Sequence, residues 1–155
     1  MKIILIGYSP NGRDQEESLT PYWGEVFEGV AVKIQNLIKM EKRVSVISSS
    51  APCCMRLIGY CISASLNKAG FYATNSARGI LEWSDQHSDT HYESVKEIIR
   101  EDGHSDVLII TAHSKMAKWI AERLISDRGQ SLEVMDDVYH GFLINEDGSF
   151  IRIYP

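Results

Sequence analysis

Short apolar runs alternate along this chain with longer stretches in which apolar residues recur every three or four positions. Residues 2–8 form a β-branched run stopped near Gly7 and predict a first buried strand. The polar residues 9–20 predict a loop. Thr20 and Pro21 then read as the N-cap and first position of a helix. Trp23, Phe27, Val30, Ala31, Ile34, Leu37 and Ile38 draw one apolar stripe down it. Gly24 and Gly29 weaken that helix locally, or alternatively allow close packing on a sheet. Residues 43–49 predict the second strand. Met55, Leu57, Ile58, Cys61, Ile62 and Leu66 give the next helix its apolar positions, and Gly70 closes it.

The second half repeats the alternation. A short strand is expected at 71–74, followed by an irregular polar stretch over 75–89. Thr90 and Glu93 have capping-box spacing and predict a helix from about His91 to Glu101, ended by Gly103. Asp106–Thr111 holds four contiguous apolar residues, Val107 to Ile110, as a central parallel strand covered on both faces would. A helix follows over Ser114–Ser126. The tail, 139–145 and 150–154 around Glu146-Asp147-Gly148-Ser149, predicts a closing β-hairpin. Strands alternating with helices predict a layered α/β sheet.

Three predicted strands end in small or hydroxyl residues: Gly7-Tyr8-Ser9, Ser48-Ser49-Ser50 before Ala51-Pro52-Cys53, and Thr111-Ala112-His113-Ser114. Open α/β sheets bind ligands beyond the carboxyl ends of their strands, so these tips predict one pocket at one sheet edge.

Composition narrows the partners. At 155 residues the chain fits one domain, taken as 1–155, with a core of its own. A net charge of -5 gives no basic footprint for nucleic acid and no polybasic cluster for an anionic membrane. No apolar run approaches the roughly 20 residues that span a bilayer. Met1–Ile6 is apolar but short and reads as strand rather than signal peptide. Cys53, Cys54 and Cys61 are odd in number, which argues against a disulfide framework and for a reducing, cytoplasmic setting. Their spacing does not suit zinc, and no metal or other cofactor is expected.

The order and spacing of these pieces resemble the histidine phosphatase superfamily, also called phosphoglycerate mutase-like. The resemblance runs over nearly the whole length. It lies in the first strand and loop, Leu19-Thr20-Pro21, the Ser48–Pro52 tip, Leu81-Glu82, the Val107–His113 strand with its helix, and the final hairpin. It implies a three-layer sandwich with a mostly parallel central sheet. Active members carry Arg-His-Gly after the first strand. The His attacks phosphorus and the Arg binds the phosphoryl oxygens. A second Arg follows the Ser-Ser tip, a Glu or Asp donates a proton, and a second His follows the later strand. An imidazole can be a neutral nucleophile near pH 7, and guanidinium groups hold oxygens where charge develops.

The chain departs from that pattern. Ungapped alignment puts Gly7 at the Arg, Tyr8 at the nucleophilic His and Ser9 at the Gly. Cys53 stands where the second Arg is expected. Glu82 keeps the acid position. His113 matches the second His only with one residue of slack, Ala112 being the ungapped match. The expected pocket is therefore Tyr8, Ser9, Arg13, Ser50, Cys53, Arg56, Glu82 and His113.

Each residue has two readings. Tyr8 is a nucleophile or a residue that lines or plugs the pocket, and an ordinary pKa of about 10 favours the second. Cys53 or Cys54 is a thiol activated by a helix N-terminus, or a small buried filler. The filler reading is favoured, and Gly59 excludes a Cys-x5-Arg loop. His113 is an acid or phosphate ligand, or a structural helix-start histidine. Glu82 is a vestigial acid or a solvated loop residue. Arg13 is a substitute clamp or a solvated one. His87 and His91, with Asp85 and Asp89, lack metal-ligand spacing, and His140 reads as structural. Catalytic residues that act as a unit fail together. The expectation is a catalytically inactive protein that binds a small anionic or phosphorylated ligand, or regulates. The alternative is a divergent phosphatase or phosphotransferase using His113 and Glu82. The sequence leaves the oligomeric state open.

Overall fold

Strand β4 (Val107–His113) is buried along its whole length except at its last residue, so it must lie inside a sheet covered on both faces. In the computed structural model, which describes residues 1–11, 16–84, 86, 88–129, 132 and 138–155, it does. β4 lies between β1 (Lys2–Tyr8) and β2 (Arg43–Ser49), parallel to both. β3 (Tyr72–Arg78) extends the sheet beyond β2 in parallel. β5 (Tyr139–Ile144) and β6 (Phe150–Arg152) extend it antiparallel beyond β1. The order is β3-β2-β4-β1-β5-β6.

Side-chain alternation builds two cores. Ile4, Ile6 and Tyr8 of β1 face α1 (Pro21–Leu37) and α2 (Cys53–Lys68). Ile3 and Leu5 face α3 (Asp89–Glu101) and α4 (Ser114–Asp127) on the other side. This is the expected three-layer sandwich. The chain steps one way through β1, β2 and β3, then back through β4 to β5. The helices change face where it reverses, as crossovers of one hand require.

Most predicted elements are present. Thr20 caps α1, its hydroxyl accepting the Trp23 N–H at 3.3 Å. The hairpin turn closes with Asn145 N–H to the Ser149 carbonyl at 2.9 Å and Gly148 at φ +86°. Among the described residues no helix is long and apolar enough to cross a membrane.

Four local expectations are corrected. β3 runs to Arg78, not 74, and a short 3-10 turn, Gly79–Leu81, follows. Its side chains are almost all exposed, so no apolar pattern marks it; the strand is held by backbone pairing to β2 from Tyr72 to Arg78. α3 begins at Asp89 and is capped by Ser88, whose hydroxyl accepts the His91 N–H at 3.4 Å. Thr90 lies inside the first turn. The earlier start gives Tyr92, Val95 and Ile98 a formed turn from which to reach the core. β4 continues to His113, two residues past the apolar run. Finally, a Cβ on Gly24 or Gly29 would meet nothing within 4 Å, so of the two readings of these glycines the close-packing alternative falls. The close approaches are at Gly59, where a Cβ would collide with the Ser48 hydroxyl, and at Gly7.

The cap assignment is testable by urea unfolding. Ser88→Ala should lower stability by about 1 kcal/mol, whereas Thr90→Ala should stay within about 0.5 kcal/mol of the parent.

Candidate functional site at the strand-tip edge

The four parallel strands end on one edge. From there β1 leads to α1 on one face and β4 leads to α4 on the other. β1 and β4 are neighbours, so the topological switch point lies between their ends. The register partners at that point are Tyr8 and His113.

Tyr8 turns inward toward the α1 and α2 face and is 1 % exposed. Its ring centroid lies 4.7 Å from that of Trp23 and 5.7 Å from that of Phe27. Burial, and secondarily the Cys54 thiol, push the phenol above its ordinary pKa of 10.0. A phenol held protonated is a poor nucleophile, which favours the plugging role.

Gly7 faces the opposite layer. A Cβ there would stand 2.7 Å from Ala117 Cβ and 2.9 Å from Ser114 Cα. Both belong to the first turns of α4, which lies directly on the β1 backbone. A side chain at position 7 would require the start of α4 to shift. The Ser9 and Ser114 hydroxyls hydrogen-bond each other, and Ser9 N–H donates to the Val138 carbonyl at 2.8 Å. Ser114 was not among the expected pocket residues; a serine opening a helix at a strand tip was its only signal.

His113 is half-buried and caps α4. Its Nδ1 accepts the Lys115 N–H at 3.2 Å, which assigns the neutral ring's proton to Nε2. Burial, then Lys115, hold its pKa below the ordinary 6.5. Ala112 is fully buried, so His113 is the residue presented at the tip.

At the β2 tip, Ser48 and Ser49 are buried. The Thr111 hydroxyl lies 2.9 Å from Ser48 Oγ and 3.0 Å from the Met55 carbonyl oxygen, and Ser49 Oγ donates to the Ala51 carbonyl at 2.7 Å. Ser50 is half-buried, its N–H donating to the Arg78 carbonyl at 3.3 Å. Beyond the cis Ala51–Pro52 bond, half-buried Cys53 opens α2 and exposed Arg56 stands in its first turn. Cys54 is buried, and burial above all pushes its thiol up to about 12, with Cys53 and Glu16 adding to it. Burial thus favours the neutral thiol, as in a residue that fills the core. Glu82 is exposed after the 3-10 turn, its N–H bonded to the Gly79 carbonyl at 3.0 Å. Arg13, Asp85 and His87 lie outside the described residues. His91 meets the Trp119 ring edge-on at 5.6 Å, and buried His140 stacks on Phe142 at 5.9 Å.

The structure thus brings Tyr8, Ser9 and His113 together, joined by Ser114. It puts Ser50, Cys53 and Arg56 at the neighbouring tip and leaves Glu82 on the surface. The N-termini of α1, α2 and α4 carry no acidic residue in their first turns. Because each of these helices follows a parallel strand, their positive ends face this same edge.

No family model matches the sequence, and no curated protein does. Solved structures do share the fold. The protein histidine phosphatase SixA complexed with tungstate superposes with a TM-score of 0.58 at 10 % identity, over 99 % of this chain and 95 % of that one. A protein assigned as an alpha-ribazole-5'-P phosphatase from Escherichia coli gives 0.57 at 13 %, over 98 % and 94 %. Phosphoglycerate mutase from Plasmodium falciparum gives 0.56 at 9 %, over 97 % and 88 %. These neighbours are histidine phosphatase superfamily members, and at such identities the likeness establishes the fold: phosphoglycerate mutase-like.

Two outcomes follow from the edge geometry. Gly7→Ala should lower stability by about 1–3 kcal/mol in urea unfolding, because rigid α4 atoms must give way to one methyl group. His113 binds its proton more weakly folded than unfolded, so its contribution to stability is full above pH 6.5 and is lost as pH falls from there toward the depressed folded value. Protonation also removes the cap and sets a cation against the positive end of α4. Thermal melts across pH 5 to 8 should show the parent losing stability on acidification relative to His113→Asn, which caps without titrating.

Proposed function

We propose that this protein uses a phosphatase fold to bind a small anionic or phosphorylated ligand at the strand-tip edge without transferring a phosphoryl group, as a binding or regulatory module. The observation that carries the reading is the pair at the end of β1. Position 7 has no room for a guanidinium, and position 8 is a buried, protonated phenol. Attack on phosphorus through histidine needs an imidazole with an unprotonated nitrogen free to reach the ligand. In His113 the unprotonated Nδ1 is engaged in capping α4. The transition state needs cationic donors on its equatorial oxygens, and Cys53 cannot act as an arginine would.

Anion affinity survives these losses. Pro52 offers α2 no side-chain cap, so the positive end of that helix is left to attract an anion, with exposed Arg56 in its first turn; the Met55 N–H bonds the Pro52 carbonyl at 3.0 Å. One fold neighbour was solved with tungstate, a tetrahedral oxyanion. Three free thiols fit a reducing, cytoplasmic setting. The second reading, a divergent phosphatase acting through His113 and Glu82 on a phosphorylated small molecule or phosphohistidine, has in its favour that His113 is neutral and stands at the switch point.

p-Nitrophenyl phosphate separates the two. The proposed function predicts hydrolysis equal to buffer and unchanged in His113→Ala. It also predicts binding of tungstate or phosphate by calorimetry, weakened about tenfold in Arg56→Ala, as loss of one charge-assisted contact implies. Turnover that disappears in His113→Ala would establish the phosphatase.

A further inference from the structure

A cavity of about 300 Å³ lies between the second half of α1 and β6, the strand at the opposite margin of the sheet from β3. Lys33, Asn36 and Leu37 are three and four residues apart, so they present one face of α1 to it. Ile151 and Ile153 are two residues apart and share one face of the chain. That is the face α1 covers, because Ile153 belongs to the α1 and α2 core. Ile153 is buried, but Ile151 is left 48 % exposed and Tyr154 66 % exposed. The floor of the cavity is therefore aliphatic and open to solvent.

Its charge is unlike that of the rest of the surface. The chain carries 21 acidic residues against 16 lysines and arginines. Three larger cavities on the described surface are lined by carboxylates, two of them by Glu93 and Asp127 and the third by Glu41 and Asp106. The charged residues around this one are Lys33 and Arg152, both cations. Arg152 alternates to the other face of β6, its guanidinium 5.7 Å from the Phe142 ring in the opposite core. Lys33 is thus the cation on the cavity's own face. Its Nζ donates to the main-chain oxygens of Tyr154 and Pro155 at 2.9 and 3.2 Å. Two of the three ammonium donors hold these residues against α1, which leaves the third for a ligand oxygen.

We propose that this cavity binds a free carboxylate carried on a short aliphatic chain, with the chain on Leu37, Ile151 and Ile153 and the carboxylate on the Lys33 ammonium beside the Asn36 amide. An ammonium at the rim of an apolar floor selects negative charge at one end of a molecule and apolar bulk at the other. Lys33 and Leu37 stand about 6 Å apart along α1, a span that a few methylene groups cover. The volume agrees, since ligand cavities run from about 300 Å³ upward and this one lies at the small end. The site is separate from the strand-tip edge: α1 begins at that edge with Pro21 and reaches the cavity only in its last turns.

Octanoate titrated into the isotopically labelled full chain tests this by amide NMR shifts. Saturable shifts should appear at residues 33–37 and 151–154 and not at 53–56. Octylammonium, with the same chain and the opposite charge, should give none. Octanol should bind about tenfold more weakly than octanoate, as loss of one charge-assisted contact implies. Lys33→Met keeps an aliphatic stem and removes the charge, so it should weaken octanoate about tenfold and leave octanol unchanged. Ile151→Asp should abolish binding of both. Ile151→Thr, which keeps the β-branched shape, should weaken both and gives the same reading should the aspartate disturb β6. Absence of saturable binding, shifts confined to 53–56, or octanol binding as tightly as octanoate would overturn the proposal. So would tighter binding of a tripeptide ending in leucine, which would make the occupant a peptide carboxyl terminus.

Discussion

The close approach of α4 to β1 at Gly7 is the constraint on which the strand-tip edge depends. A glycine there lets the first turns of α4 rest on the strand backbone, with Ala117 and Ser114 filling the space a side chain would take. That position brings Ser114 to Ser9 and lets His113 close β4 and cap the same helix. One missing side chain therefore fixes the entry of α4, the partner of the first loop and the orientation of the imidazole. The edge is tightly packed, and that packing leaves position 7 no space for a side chain unless α4 shifts.

The other face of the edge is closed differently. Tyr8 fills its space with an aromatic ring wedged against Trp23 and Phe27, and Cys54 lies in the same core cluster. Both groups are driven toward their neutral forms by burial. The two residues that end β1 are thus committed to packing, one to each layer. What the edge retains is directional rather than nucleophilic: helix N-termini without acidic first turns, and an exposed arginine beside one of them. Positive helix ends of this kind favour anions.

Much of the architecture was legible because its causes are local and strong. The apolar runs of β1 and β4, and the Val44, Val46 and Ile47 of β2, mark buried strands, and Thr20-Pro21 marks a helix start by side-chain chemistry alone. The three tips were also legible, since hydroxyl and small residues closing apolar runs sit where backbone direction changes. The rest was hidden for physical reasons. β3 is stabilised by ladder bonds to β2 rather than by its own side chains, so its length leaves no trace in hydropathy. Ser88 and Thr90 are equally good caps in isolation, and only the phase of Tyr92, Val95 and Ile98 against the core separates them. A glycine at a strand end reads as a stop; that Gly7 is a point of helix-on-strand contact depends on residues more than a hundred positions away. The inward turn of Tyr8 follows from the parity of β1, and the cost of its burial depends on aromatic partners in α1.

The proposed binding role predicts that no residue of this protein accepts a phosphoryl group. Phosphorus NMR of the protein after incubation with phosphoramidate, a donor that phosphorylates reactive imidazoles, tests it directly. A spectrum containing only the donor and free phosphate is the predicted result. An acid-labile phosphoramidate resonance that travels with the protein through gel filtration and is lost in His113→Ala would contradict it.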